Sequence, residues 1–156
     1  MSGPKTNVAT LSAKGRQLAI VAARFNDSIV SKLLEGASQA WAVHEGDEAD
    51  LMVMRVPGAF ELPLAAQACA NSGRFDAVVA LGCVIRGDTP HFEYVAGECA
   101  RGLQTVALQT GVPVAFGVLT VENEQQARER CAPGAGNKGA EAVESALEMI
   151  DALKLA

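Results

Sequence analysis

Arginine, aspartate, threonine and histidine crowd into RGDTPH, positions 86–91, directly after the apolar run AVVALGCVI at 77–85. A strand that ends this way delivers a cation, two capping oxygens and an imidazole to one place. Asp88 or Thr89 suits the N-cap of a following helix, and Pro90 suits its first position, so His91 falls in the first turn. The positive end of that helix disfavours an imidazolium, which leaves a neutral ring able to accept a proton. The same helix start, with the Thr89 hydroxyl and the flexible Gly87, can seat a phosphate. A plainer reading stands beside this one: Asp88, Thr89 and Pro90 form a cap and His91 faces solvent. Arg86 reads as a ligand clamp or as a structural ion-pair partner, with preference for the second.

Phe25 follows another apolar run, LAIVAA at 18–23. A ring beyond a strand end can stack on a flat heterocycle, worth roughly 1–3 kcal/mol, or can simply lid the core edge. Ala59, Phe60 and Glu61 open a further helix. Their amides and carboxylate could match a polyol or the edge of a pyrimidine, or Glu61 merely complements the helix dipole. GAGNKG at 134–139 is glycine-rich, with Arg130 upstream and Lys138 inside it. Such loops bind phosphate, but this one is not GxxxxGK[ST] and is a weak signal alone. His44, at a helix end, reads as a surface residue.

Cysteines stand at 69, 83, 99 and 131 without a CxxC pair. No two Cys or His residues have ligand spacing, so neither a metal nor a metal cofactor is expected. Disulfides are not expected either. A thiol nucleophile built from Cys83 and His91 lacks an activating partner for the cysteine.

The elements that must position these groups follow from hydrophobic patterning. Strands are expected at 18–23, 51–56, 76–85 and 114–119. Helices are expected at about 27–43 (started by Asp27 and Ser28), 60–70, 90–110, 124–131 and 138–153. Ile29, Leu33, Ala37, Ala40 and Trp41 form the apolar stripe of the first helix. Strands alternating with helices imply a parallel sheet with right-handed crossovers. The expected fold is therefore a flavodoxin-like three-layer α/β/α sandwich around a four-stranded parallel sheet. Residues 1–15 read as a flexible arm, or an edge strand that orders on a neighbour, and 16–156 as one domain. In such sheets ligands bind beyond the carboxyl ends of the strands, where the candidates at 25, 59–61 and 86–91 fall.

Composition narrows the function classes. The chain has 156 residues, 49% hydrophobic but only 4% aromatic, so its core is built of Ala, Val and Leu. A formal charge of −5 without a basic tract argues against nucleic acid. No apolar stretch approaches a membrane span, and the polar N-terminus lacks a signal core, so a cytoplasmic protein is expected.

Five stretches together resemble the lumazine synthase family: RFND at 24–27, PGAFELP at 57–63, GCVIRGDTPHFEYV at 82–95, FGVLT at 116–120 and AGNKGA at 135–140. Any one is ordinary; their order and spacing are specific. The resemblance implies condensation of 5-amino-6-(D-ribitylamino)uracil with 3,4-dihydroxy-2-butanone 4-phosphate. The products are 6,7-dimethyl-8-ribityllumazine, phosphate and water, and neither metal nor organic cofactor takes part. It further implies that Phe25 stacks on the pyrimidine and that Ala59, Phe60 and Glu61 bind the ribityl chain and ring. Cys83, Val84 and Ile85 then lie at the ring, Asp88 and Thr89 at the phosphate, and His91 transfers protons. Phe116, Lys138 and the phosphate-pairing Arg130 come from an adjacent subunit, because the family assembles as homopentamers. Some members pack twelve pentamers into a hollow shell, which the short link at 133–139 permits. Many members carry a lysine where this chain has Gly134, leaving Arg130 as the phosphate cation. A non-catalytic flavin- or phosphate-binding protein, or a shell-forming protein of the same fold, is the alternative.

Overall fold

Four short apolar strands, each sending alternate side chains to opposite faces, set the architecture. The computed structural model describes residues 3–7 and 11–156. Strands β1 (Leu18–Ala23), β2 (Leu51–Val56), β3 (Ala77–Ile85) and β4 (Val114–Val121) form one parallel sheet in the order β2-β1-β3-β4. Leu18, Ile20 and Ala22 of β1 and Val79, Leu81 and Cys83 of β3 point to one face. Ala19 and Val21, with Val78, Ala80 and Val84, point to the other.

Each face is covered by helices whose apolar stripes match it. Helices α1 (Asp27–Val43), α4 (Glu124–Cys131) and α5 (Lys138–Leu153) pack on the first face, contributing Val30, Leu33, Trp41, Ala127, Val143 and Leu147. Helices α2 (Leu62–Asn71) and α3 (His91–Thr110) pack on the second through Leu62, Ala66, Cys69, Cys99 and Leu103. The result is a three-layer α/β/α sandwich, as the alternation of elements predicts. Small core residues let helices approach closely. A Cβ on Gly139 would fall 1.9 Å from the Leu33 carbonyl oxygen, so α5 lies against α1 at a distance only glycine permits.

The boundaries depart from expectation where caps are concerned. Asn26, rather than Asp27 or Ser28, holds the cap position of α1, in the left-handed region at φ 60° and ψ 44°. A 3-10 turn, Ala59–Glu61, precedes α2, and Pro63 sits in that helix's first turn. Pro90, rather than Asp88 or Thr89, occupies the cap position of α3, so the helix starts one residue later than expected, at His91; the Thr89 hydroxyl accepts the His91 backbone N–H at 3.4 Å. Strand β4 runs two residues longer than its hydropathy suggests, because its end pairs with Val84 and Ile85 of β3. A 3-10 turn over Glu48–Asp50, capped by Asp47, was not anticipated.

His44 also departs from its surface reading. Its side chain is 20% exposed and its ring lies 3.0 Å from the Glu144 carboxylate on α5. Of the expected arm, residues 1, 2 and 8–10 lie outside the described residues, and residues 3–7 carry no helix or strand. Ala13 is fully buried and its N–H donates to the His44 carbonyl at 2.8 Å. The folded body therefore includes part of that segment.

Candidate functional site

The strand exits continue the sheet's pairing for a residue or two, and that brings the candidates together. Beyond β1, the Arg24 N–H donates to Val56 O at 2.7 Å and the Phe25 N–H to Pro57 O at 3.0 Å. The β1–α1 turn thus runs beside the segment that carries Ala59, Phe60 and Glu61. Beyond β3, the Arg86 N–H donates to Val121 O at 2.9 Å, which guides the chain out toward α3.

Between these exits lies an open cleft of about 730 Å³. Phe25, Ala59, Phe60, Glu61, Val84, Ile85, Thr89 and His91 line it, all eight anticipated from sequence. The Phe25 ring is 71% exposed and Phe60 is 59% exposed, so both aromatic faces are open to a ligand rather than folded onto the core. That weakens the reading of Phe25 as a lid. An apolar lining with a few convergent polar groups, here Glu61, Thr89 and His91, is the usual make-up of a small-molecule site.

Cys83 and Asp88, anticipated at the same strand exit, do not line the cleft. Cys83 points to the opposite face of β3, where burial pushes its thiol up to about 11, with nearby Cys131 adding to the rise. Only its backbone is near the strand exit, and its carbonyl oxygen accepts a hydrogen bond from Asn26 Nδ2 at 2.8 Å. Asp88 is exposed and stands outside the lining. Conversely, Tyr94 and Val95 line the cleft and were missed. They sit three and four residues after His91 on one helix face, a spacing that would have found them.

Arg86 takes the structural role. Its Nε donates to Glu122 Oε2 at 2.8 Å, an Nη donates to Glu93, and its guanidinium lies 4.4 Å from the Phe92 ring centroid. It thereby ties the end of β4 to the first turn of α3. The Arg86 hydrogen bond holds the Glu93 carboxyl below the usual carboxylate range.

Phe116, Arg130 and Lys138 lie elsewhere, in a second cleft of about 290 Å³ along β4 and α5. In the isolated chain Arg130 donates to Gln126 O at 3.0 Å, and Lys138 pairs with Glu141 at 2.9 Å. The glycine-rich segment beside them is organised by Asn137. Asn137 is 2% exposed; its Nδ2 donates to the carbonyls of Lys32, Cys131 and Ala132 at 3.0–3.3 Å, and its Oδ1 accepts the Ala140 N–H at 3.0 Å. One amide therefore fastens the α4–α5 link to α1 and caps α5. Gly134, at φ 91°, turns the chain in a region where a lysine would be strained.

No group of three or more His, Cys, Asp or Glu side chains could hold a metal ion among the described residues. No described helix is long and apolar enough to cross a membrane.

A parallel three-layer sandwich with an aromatic, anion-compatible cleft at its strand exits defines a flavodoxin-like small-molecule-binding protein. Residues 15–154 match the 6,7-dimethyl-8-ribityllumazine synthase family, and the chain belongs to it. The 6,7-dimethyl-8-ribityllumazine synthases of two strains of Thermus thermophilus are each 54% identical to it over 151 residues. The alignment covers 97% of this chain and 96% of each relative.

Proposed function

We propose that this protein is the enzyme its family membership indicates. It condenses 5-amino-6-(D-ribitylamino)uracil with 3,4-dihydroxy-2-butanone 4-phosphate to 6,7-dimethyl-8-ribityllumazine, the penultimate step of riboflavin biosynthesis. The observation that carries this reading is the cleft itself: an open Phe25 ring, a carboxylate and an imidazole face one space at the exits of neighbouring strands. The Phe25 face stacks on the pyrimidine, the backbone of Cys83, Val84 and Ile85 borders its edge, and Glu61 with Ala59 and Phe60 takes the ribityl hydroxyls. Thr89 and the start of α3 hold the phosphate, with Asp88 beside them.

The chemistry asks little beyond orientation and proton transfer. The pyrimidine's amino nitrogen attacks the ketone carbon, and loss of water gives a Schiff base. Removal of the adjacent carbon-bound proton expels phosphate, and tautomerisation of the resulting enol leaves a carbonyl. The ribityl-bearing nitrogen closes on that carbonyl, and a second water departs. His91 accepts and returns protons in these steps, a role typically worth 10²–10⁴-fold. Holding two reactants in register supplies much of the remaining acceleration.

The cations for the phosphate stand in the second cleft, away from the first. A second copy that sets its β4–α5 edge against the open cleft would bring Phe116, Arg130 and Lys138 to the substrates. The active unit is accordingly a homo-oligomer, a pentamer of such interfaces. Mixing purified protein with both substrates, and following lumazine fluorescence with phosphate release, tests the reading. Acceleration of both signals in step is expected; no gain over the spontaneous reaction would remove it. Tight flavin binding without turnover would instead favour the non-catalytic reading.

A further inference from the structure

Asn26 is an unusual cap. Residues at this position ordinarily hold extended backbone and offer a side-chain oxygen to the first amides of their own helix. Asn26 does neither: its backbone is left-handed, and its side chain makes no capping bond to α1. Its amide is turned across the sheet, where Nδ2 donates to Cys83 O at 2.8 Å, one residue before Val84. Asparagine is among the few side-chain-bearing residues that enter the left-handed region readily.

The bond joins two walls of the cleft. On one side stands the turn that carries Phe25; on the other stands the β3 exit that carries Val84 and Ile85. Asn26 itself does not line the cleft, so it acts on a ligand only through its neighbours. The turn's other flank is already fixed. Arg55 of β2 donates to Ala23 O at 3.0 Å and to Asp27 Oδ1 at 2.7 Å. With Arg55 holding the turn to β2, the Asn26 amide is the side-chain link that sets its height over β3.

We infer that Asn26 is a positioning residue: it fixes the gap between the Phe25 ring and the β3 edge, and so selects a flat heterocycle at that place. The inference rests on the function proposed above. It concerns the heterocycle alone, because the phosphate seat lies at the other end of the β3–α3 connection.

Asn26→Gly is the informative variant, since glycine keeps the left-handed backbone and removes only the tether. Two measurements are made on the full-length assembled protein. One is titration with 6,7-dimethyl-8-ribityllumazine, read by its fluorescence. The other is steady-state kinetics with each substrate varied in turn. The variant should bind the lumazine about tenfold more weakly and show a similar rise in KM for the pyrimidine. Its KM for the butanone phosphate and its melting temperature should match the parent. Asn26→Asp, which keeps the shape but sets an oxygen against the Cys83 carbonyl, should fall at least as far. Unchanged lumazine affinity in Asn26→Gly would overturn the inference, as would parallel changes in both KM values and melting temperature. If the unsubstituted protein neither binds lumazine nor turns over, the functional reading itself has failed.

Discussion

His91 is presented by a helix rather than by a loop, with its backbone N–H on the Thr89 hydroxyl and its ring in the cleft. Replacing it with alanine should lower kcat on the order of 10²-fold without abolishing turnover, because the two substrates are still held together. A steady-state rate near that of the parent would discard the proton-transfer role. The cysteines make the opposite case. All four are buried, and burial pushes the Cys83 and Cys99 thiols up to about 11. At about pH 8 they remain protonated, and the thiol is a poor nucleophile. Iodoacetamide should therefore leave the native protein unlabelled and modify all four cysteines after denaturation. Rapid labelling of native Cys83 would revive a thiol-based mechanism.

At the scale of elements, the α4–α5 link depends on one amide and a close approach between helices. Asn137→Ala would strip three carbonyls of their donor and remove the cap of α5. A loss of about 1–3 kcal/mol is expected. Gly139→Ala should destabilise too, since its Cβ would meet the Leu33 carbonyl at 1.9 Å. Gly97, in α3, has nothing within 4 Å of a Cβ, so alanine there should be neutral or add up to about 1 kcal/mol. Thermal unfolding of the three variants checks the order. If Gly139→Ala melts with Gly97→Ala, the tight contact between α1 and α5 is wrong.

For the whole molecule, the ion pairs of Arg55 and Arg86 stitch the strand exits together and set an acid limit. The Arg55 hydrogen bond, aided by Ser31, holds the Asp27 carboxyl below its ordinary 3.8, and Arg86 holds Glu93 below its ordinary 4.5. A depressed carboxyl stabilises the fold above the unfolded-state value. That contribution is lost as pH falls below about 4.5 and through the lower folded-state values. Asp27→Asn and Glu93→Gln should flatten the acid limb of a melting-temperature profile; an unaltered limb would remove these pairs from the account. The shared site makes a further demand. His91→Ala and Arg130→Ala damage different clefts, so copies of each, refolded together, should regain intact sites at about a quarter of the interfaces. No recovery above the two variants measured alone would argue for a site complete within one chain.

Sequence by itself determined the sheet, the helices and eight residues of the main cleft. The unbroken apolar runs LAIVAA and AVVALGCVI, with the polar breaks after them, leave few other ways to hide so much apolar surface. It also supplied the family, through motifs whose spacing is kept. Only the tertiary structure decided what each polar group faces. Arg86 found Glu93 and Glu122, His44 found Glu144, and Asn137 found the carbonyl of Cys131. Cys83 looked inward and Asp88 outward for the same reason. A side chain's partner depends on which distant strand or helix the fold lays beside it, and local patterning carries no record of that.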